Sequence, residues 1–305
     1  MTQSSRHIAV VAPSGYAADP EALTRATARL HAQGHQVHDF CSAYQKHQRF
    51  AASDADRVGQ LHAAARHPEV EIVIALRGGY GLSRLLPAID FDLLAASGKC
   101  FVGHSDFTAL HLGLLAKTGA VSFAGPMICD DFSRPDISAF TESHFWQCLN
   151  GPINIDISAS DNPSVDVQGK FWGGNLSMVA HLMGTPWMPE VDGGILFIED
   201  INEHPYRIER MLLQLLHAGV LSRQKAVILG DFSGYRLSDY DHGYDFQAML
   251  AFMRELLPVP VLQGLPFGHT RDKLTLPVGA ACRLRSDPSG LQLAVSDYPI
   301  LRTWP

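Results

Sequence analysis

Short apolar runs alternate with helical patterns along the first half of the chain. Runs at 8–12, 72–76 and 100–102 have the length and β-branched content of buried strands. Apolar residues at helical spacing predict helices from Asp19 to Gly34, over 53–65 and over 107–117. Because strands and helices alternate, the pattern predicts an α/β domain with a mostly parallel sheet.

The pattern changes after residue 150. Residues 153–157 alternate apolar and polar like a half-exposed strand, and 158–164 are polar and turn-rich. The sequence therefore predicts an N-terminal domain over 1–150, a linker over 151–168 and a C-terminal domain over 169–305. Further strands and one helix are predicted in that second domain at 194–198, 226–229, 281–284 and 207–218.

The composition is that of an ordinary folded protein. Of 305 residues, 46% are apolar and 18% charged, and the formal charge is −7 without a basic cluster, so no nucleic-acid or anionic-membrane surface is expected. Five scattered cysteines form no CxxC pair, and no HExxH motif or Cys/His cluster predicts a metal. The apolar run at 8–12 is too short for a secretory signal, and no run approaches the roughly 20 residues that span a bilayer. A cytoplasmic location is expected.

Ser105 has the sequence setting of a nucleophile. It stands between a predicted buried strand and a predicted helix, with Gly103 two residues before it. A sharp turn there would expose the hydroxyl beside free backbone N–H groups. Phe107 occupies the second glycine position of a G-x-S-x-G motif, so an ordinary helix N-cap is the alternative interpretation. His104 is expected to point the other way and is rejected as the base.

The segment Arg77-Gly78-Gly79-Tyr80-Gly81 directly follows a predicted buried strand. Three glycines in four residues let a backbone approach a ligand closely and point its amides at that ligand. A phosphate loop, an oxyanion hole and a simple tight turn are all compatible with this segment. Arg84 stands where a G-x-G-x-x-G motif needs its third glycine, which counts against dinucleotide binding.

An acid and a histidine could complete a site with Ser105. Glu199 and Asp200 end an apolar run, where α/β proteins build their sites, and Glu199 is preferred because it lies closer to the buried run. Solvation of a strand end is the alternative explanation. Among fifteen histidines, His269 stands out because the glycines and proline of the 264–270 loop can hold its side chain rigidly yet accessibly.

Taken together, these segments resemble the LD-carboxypeptidase (muramoyltetrapeptide carboxypeptidase) family, and the resemblance covers almost the whole chain in order. The motifs that carry it are Ala12-Pro13-Ser14-Gly15, Arg77-Gly78-Gly79-Tyr80-Gly81, Gly103-His104-Ser105-Asp106, Gly125-Pro126-Met127, Trp172-Gly173-Gly174-Asn175-Leu176, Gly184-Thr185-Pro186, Ile198-Glu199-Asp200 with His204-Pro205-Tyr206-Arg207, and Phe267-Gly268-His269.

The resemblance implies a Ser–His–Glu catalytic triad formed by Ser105, His269 and Glu199. It also implies an N-terminal Rossmann-like domain with a mostly parallel sheet and a C-terminal swivelling β/α domain. Family members act in the cytoplasm on recycled cell-wall peptides, are typically homodimers and use no cofactor. The bond expected to be cleaved joins the dibasic third residue of a muropeptide stem to its terminal D-alanine.

Further roles follow from this chemistry. The backbone N–H groups of Gly79 and Asp106 are expected to form the oxyanion hole. A carboxypeptidase must also recognise a free carboxylate, for which Arg77 and Arg207 are the candidates. Trp172 and Asn175 are candidates for the pocket wall, as is Phe171, although core packing is the alternative for Phe171.

Three other functions stay open on the sequence alone. A sister function in the same family is cleavage of a peptide-nucleotide antibiotic for self-immunity, which uses the same triad. Outside the peptidases, residues 77–81 could be the phosphate loop of a nucleotide-binding module. A non-catalytic wall-peptide sensor would keep the pocket without requiring Ser105.

Overall fold

The architecture, taken from a computed structural model that describes residues 5–41 and 46–301, consists of helices packed on two β-sheets. The strands are β1 His7–Val11, β2 Gln36–Asp39, β3 Ile72–Ala75, β4 Cys100–Gly103, β5 Ser122–Ala124, β6 Ile153–Ser158, β7 Val165–Asn175, β8 Ile195–Ile201, β9 Ala226–Ser233, β10 Val261–Gln263, β11 Leu276–Val278, β12 Ala281–Asp287 and β13 Gly290–Ser296. The helices are α1 Ala22–Ala32, α2 Asp54–Arg66, α3 Leu82–Leu85, α4 Phe91–Ala96, α5 Thr108–Thr118, α6 Ala139–Asn150, α7 Leu176–His181, α8 Pro205–His217 and α9 Phe246–Leu256.

The first sheet belongs mainly to the N-terminal half. Its order is β11-β5-β4-β3-β1-β2, with β1 to β5 parallel and β11 antiparallel at one edge. The strands predicted at 8–12, 72–76 and 100–102 are confirmed as β1, β3 and β4, which are buried as a sheet covered by helices requires.

Local capping explains where the N-terminal helices begin. Ser53 caps α2 by accepting a hydrogen bond from the Asp56 N–H, as the predicted start at 53 requires. The helix predicted from Asp19 instead begins at Ala22, because the Asp19 carboxylate accepts a hydrogen bond from the Glu21 N–H and holds a turn ahead of the helix.

The second sheet has the order β10-β9-β8-β7-β12-β13-β6. Strands β10, β9, β8 and β7 are parallel, and the ladder from β7 through β12 and β13 to β6 is antiparallel. Both sheets are thus mixed, and the α/β class predicted from the sequence is confirmed.

The segment 151–168 is not a linker. It contributes β6 and the first residues of β7 to the second sheet, and only the polar residues between those strands form a connection. The alternation that suggested a half-exposed strand is real, since Ile153 and Ile155 are buried whereas Asn154 and Asp156 are exposed. The mistake arose because strand pairing with β13, more than a hundred residues away, leaves no local signal.

The chain also crosses back between the halves near its end. β11 lies within the predicted C-terminal range 169–305, yet it pairs antiparallel with β5 of the first sheet. The segment 264–275 therefore spans the two sheets, from β10 in one to β11 in the other. Over residues 5–41 and 46–301, every helix is too short or too polar to cross a bilayer.

Candidate active site

Ser105 lies where β4 ends and the helical segment before α5 begins. Its backbone adopts φ = 60°, in the left-handed region that a residue with a Cβ enters at an energetic cost. The turn brings the half-buried side chain to the carboxyl edge of the first sheet. A strained serine between a strand and a helix is the arrangement of a nucleophile elbow.

The glycine loop, residues 77–81 after β3, packs directly against this serine. A Cβ on Gly78 would lie 2.9 Å from the Ser105 Cβ and 3.0 Å from its Oγ, so only glycine fits there without displacement. The Asp106 carboxylate fixes the same loop, since its Oδ2 accepts hydrogen bonds from the Ser14 hydroxyl at 2.5 Å and the Leu82 N–H at 3.0 Å. The loop and the serine turn are therefore one rigid unit.

Glu199 and His269 form a hydrogen-bonded pair from the C-terminal half. The His269 Nδ1 lies 2.8 Å from the Glu199 Oε2, and the Glu199 side chain is completely buried. Phe267 anchors the histidine loop by packing edge-on against Phe197 in the core. Because an ionised carboxylate only accepts, this contact places the proton of the neutral imidazole on Nδ1 and leaves Nε2 unprotonated.

The pair shifts both titrations. Burial lowers the pKa of His269, but the hydrogen bond and charge of Glu199 outweigh burial and leave that pKa above its ordinary value. Burial raises the pKa of Glu199, against the opposing hydrogen bonds from His269 and Asn175. The imidazolium form of His269 is thus stabilised by the carboxylate behind it.

Ser105 and His269 face one cleft of about 450 Å³ between the two halves. Its walls also contain the glycine loop and several charged groups; the lining residues are Arg77, Gly78, Gly79, His104, Ser105, Met127, Asp130, Arg134, Ile201, Asn202, His269 and Lys273. Within residues 5–41 and 46–301, the Ser105 hydroxyl makes no hydrogen bond to His269 or to another side chain. Such bonds commonly tighten only when substrate binds.

His104 does not point away from the site, as the sequence had suggested. It lines the cleft, its ring packs edge-on against His269 with centroids 5.2 Å apart, and its Nδ1 lies 3.0 Å from the Gly125 carbonyl oxygen. Burial, with the nearby charges of Lys273 and His269, holds the pKa of His104 well below its usual value. The His104 side chain is thus uncharged and packs against the His269 ring.

Comparison with known proteins identifies the family of the chain. Two profiles match the chain, described as the LD-carboxypeptidase N-terminal domain over residues 8–125 and the LD-carboxypeptidase C-terminal domain over residues 168–284. The chain belongs to the LD-carboxypeptidase family. A crystal structure of muramoyltetrapeptide carboxypeptidase from Oxalobacter formigenes is 55% identical, with a TM-score of 0.92 over 96% of this chain and 99% of that chain.

Relatives of different described function are similar to this chain. A probable murein peptide carboxypeptidase of Bacillus subtilis is 31% identical over 92% of this chain and 88% of its own length. The microcin C7 self-immunity protein MccF of Escherichia coli is 28% identical over 78% of each chain. The similarity to this family confirms the resemblance read from the motifs.

Three predicted substrate contacts of this LD-carboxypeptidase family member lie elsewhere. Trp172 is completely buried and donates from Nε1 to the Gln224 Oε1 at 2.9 Å, so it is a core residue, as is Phe171. Arg207 lies on the surface with its side chain 49% exposed, paired with Glu203 at 3.6 Å, and is not part of the cleft wall. Trp172 and Phe171 are buried because β7 runs through the core, and Arg207 lies on the exposed face of α8.

The Asn175 side chain is also buried and is not part of the cleft wall. Its Nδ2 donates to the Glu199 Oε1 at 3.2 Å and to the Asp200 Oδ1 at 2.9 Å, while its Oδ1 caps α7 by accepting from the Met178 N–H. Every polar atom of the side chain is thus occupied. Asn175 positions the acid, and of the predicted contacts only Arg77 lies in the cleft wall.

One buried ion pair at the site was not foreseen from the sequence. The Lys273 Nζ lies 2.7 Å from the Asp131 Oδ1, both side chains are almost completely buried, and Lys273 lines the cleft. The Asp131 Oδ2 also accepts from the Met127 N–H at 2.8 Å. The two partners are 142 residues apart, so no motif could have paired them. Asp130, Arg134 and Asn202 were likewise unforeseen.

Proposed function

We propose that this chain is a serine LD-carboxypeptidase that removes the terminal D-alanine from muropeptide tetrapeptides. The observation that carries the proposal is that Ser105, in a strained turn, faces the same cleft as His269, whose Nδ1 is held by buried Glu199. The 55% identity to a muramoyltetrapeptide carboxypeptidase favours this substrate over the peptide-nucleotide substrate of a self-immunity protein.

The chemistry follows from these positions. The free Nε2 of His269 takes the hydroxyl proton as the Ser105 oxygen attacks the carbonyl carbon of the scissile amide. Glu199 stabilises the imidazolium that results. The imidazolium then donates its proton to the leaving amine of D-alanine, and an acyl ester remains on Ser105. Water, activated by the same imidazole, hydrolyses that ester and regenerates the hydroxyl.

The oxyanion formed in each step needs donors. The backbone N–H groups of Asp106 and Gly79 are the proposed donors, because Asp106 follows the nucleophile and Gly79 lies in the cleft wall, in the loop that packs against Ser105. The loss of one such donor typically costs about 3–4 kcal/mol of transition-state stabilisation.

The carboxylate of the terminal D-alanine is proposed to bind Arg77. This guanidinium lines the cleft and donates one hydrogen bond, from Nη1 to the Tyr16 carbonyl oxygen at 3.2 Å. Lys273, the deeper cation, is already paired with Asp131. Arg77→Ala is expected to raise KM for the tetrapeptide much more than it lowers kcat, and an unchanged KM would end the assignment.

The deciding experiment follows D-alanine release from a free tetrapeptide. The purified wild type should release it, whereas Ser105→Ala and His269→Ala should not; release by Ser105→Ala at the wild-type rate would refute the proposal. Aspartyl sulfamoyl adenosine, which is bound to MccF in one solved structure, serves as the competing substrate. Its cleavage in preference to the tetrapeptide would assign the self-immunity function instead. The cytoplasmic recycling role and the homodimer remain predictions from the family resemblance.

A further inference from the structure

A histidine cluster lies on the first sheet, away from the cleft. His7 on β1 and His38 on β2 share one face of the sheet, since His38 is in register with Ala9 and His7 with Gln36. The His7 Nδ1 and the His38 Nε2 are 3.0 Å apart. One oxygen of Glu69, in the loop between α2 and β3, completes a set of three potential ligand atoms that all lie within 4.8 Å of one another.

The spacing suits a transition metal. Zinc binds imidazole nitrogen at about 2.0–2.1 Å, so two nitrogens on a tetrahedral zinc lie roughly 3.4 Å apart. His7 and His38 need to separate by only a few tenths of an ångström to reach that distance. Glu69 is exposed, and its side chain is free to rotate inward. Two imidazoles and one carboxylate are a ligand set that zinc accepts, with a fourth position left for water.

The surrounding contacts fix the loop that carries Glu69 and pack against the His38 ring before any metal arrives. The Lys99 Nζ donates to the carbonyl oxygens of His67 and Val70, both at 2.6 Å, and so fixes the loop that carries Glu69. The His67 ring packs against that of His38 with centroids 4.6 Å apart. A site that is partly ordered beforehand binds its metal at a smaller entropic cost.

We propose that His7, His38 and Glu69 bind a divalent transition metal, of which Zn²⁺ is the best fit. The metal would join β1, the edge strand β2 and the loop before β3. His7 begins β1, whereas the cleft lies at the carboxyl ends of β3 and β4, so the site is structural and does not depend on the proposed peptidase function. No sequence motif predicts this site, because its ligands are about thirty residues apart.

The test is zinc titration of the full chain after treatment with a chelator, followed by calorimetry. Because the chain has fifteen histidines, His217→Ala, which removes an exposed histidine of α8, is the matched control for weak surface binding. The wild type and His217→Ala should show the same tight site, and His38→Ala and Glu69→Gln should weaken it at least ~10-fold. Zinc should also raise the Tm of the wild type but not of His38→Ala.

Either of two results would overturn the site. One is an affinity for zinc that is equal in the wild type, His38→Ala and Glu69→Gln. The other is the absence of any zinc binding by the wild type, which would leave the His7–His38 contact as a plain imidazole–imidazole hydrogen bond. Since Glu69 is exposed, Glu69→Gln leaves the fold intact and keeps the test decisive even if His38→Ala unfolds. D-alanine release plays no part in either readout.

Discussion

Replacement of Glu199 by glutamine isolates the function of the buried acid. The substitution preserves size but removes the charge that holds the His269 Nδ1 at 2.8 Å. A charge-assisted hydrogen bond contributes about 1.5–3 kcal/mol, so its loss alone should slow the reaction about 10- to 150-fold. The contacts around Glu199 predict a larger effect.

Asn175 determines how the new amide sits. Its Nδ2 donates to the Glu199 Oε1, so a glutamine at 199 would keep its carbonyl oxygen there and turn its NH₂ toward His269. The Nδ1 would then have to accept, and the proton would move to Nε2, the atom that must take the proton of Ser105. This wrong tautomer predicts a loss in kcat of up to about 10⁴-fold.

The pH dependence of kcat/KM tests the Glu199–His269 pair independently. Glu199 raises the pKa of His269, so the acid limb of kcat/KM in the wild type should lie above the ordinary histidine value. In Glu199→Gln, burial is no longer opposed, and the limb should move to lower pH. D-alanine release across pH measures both effects, with Glu203→Gln, the same change in the surface pair with Arg207, as the control. A variant with wild-type kcat and an unmoved limb would refute the triad.

Three further predictions concern residues around this pair and in the core. Gly78→Ala should lower kcat about 10²-fold, because the new methyl group would displace the Ser105 Oγ. The control is Gly59→Ala on the exposed face of α2, which should leave activity intact and stabilise the fold by about 0.5–1 kcal/mol. D-alanine release measures the activity of both variants, and thermal unfolding measures their stability. Lys273→Met should destabilise by about 3–5 kcal/mol, because it leaves Asp131 buried and unpaired, and adding Asp131→Asn should restore part of the loss in chemical denaturation. Trp172→Phe should cost about 1–3 kcal/mol by orphaning the Gln224 Oε1, with kcat and KM unchanged; a raised KM would return Trp172 to the cleft.

The regular part of the fold could be predicted because its signals are local. Buried parallel strands such as β3 appear as short continuous apolar runs, and the Ser53 cap marks the start of α2 in the sequence itself. The alternation at 153–157 indicated a strand, but its place beside β13, the start of β7 at Val165 and the placement of β11 could not be predicted, because they depend on pairing with distant partners. Periodicity indicates that a strand exists but does not identify its sheet.

The site divides in the same way. Motif positions indicated Ser105, Glu199 and His269, which the structure brings to one cleft or to its immediate support. A motif does not reveal which way a side chain points, so Trp172 and Asn175 were assigned to the cleft although both face inward. Whether the three residues form a working triad stays a prediction until the variants are assayed.

The crossing of the chain between the sheets explains how residues from the two halves are held together. His269 lies on the segment that leaves β10 in the second sheet and enters β11 in the first, so both ends of its loop are fixed by strand pairing. Lys273, on the same segment, binds the N-terminal half: its side chain pairs with Asp131, and its backbone N–H donates to the Thr141 hydroxyl at 2.9 Å. As the proposed base, His269 is anchored on both sheets and can approach Ser105 only if the sheets move together or the loop shifts between its anchors. The distance from the His269 Nε2 to the Ser105 Oγ is therefore governed by packing between the halves, and Lys273→Met should change kcat as well as stability.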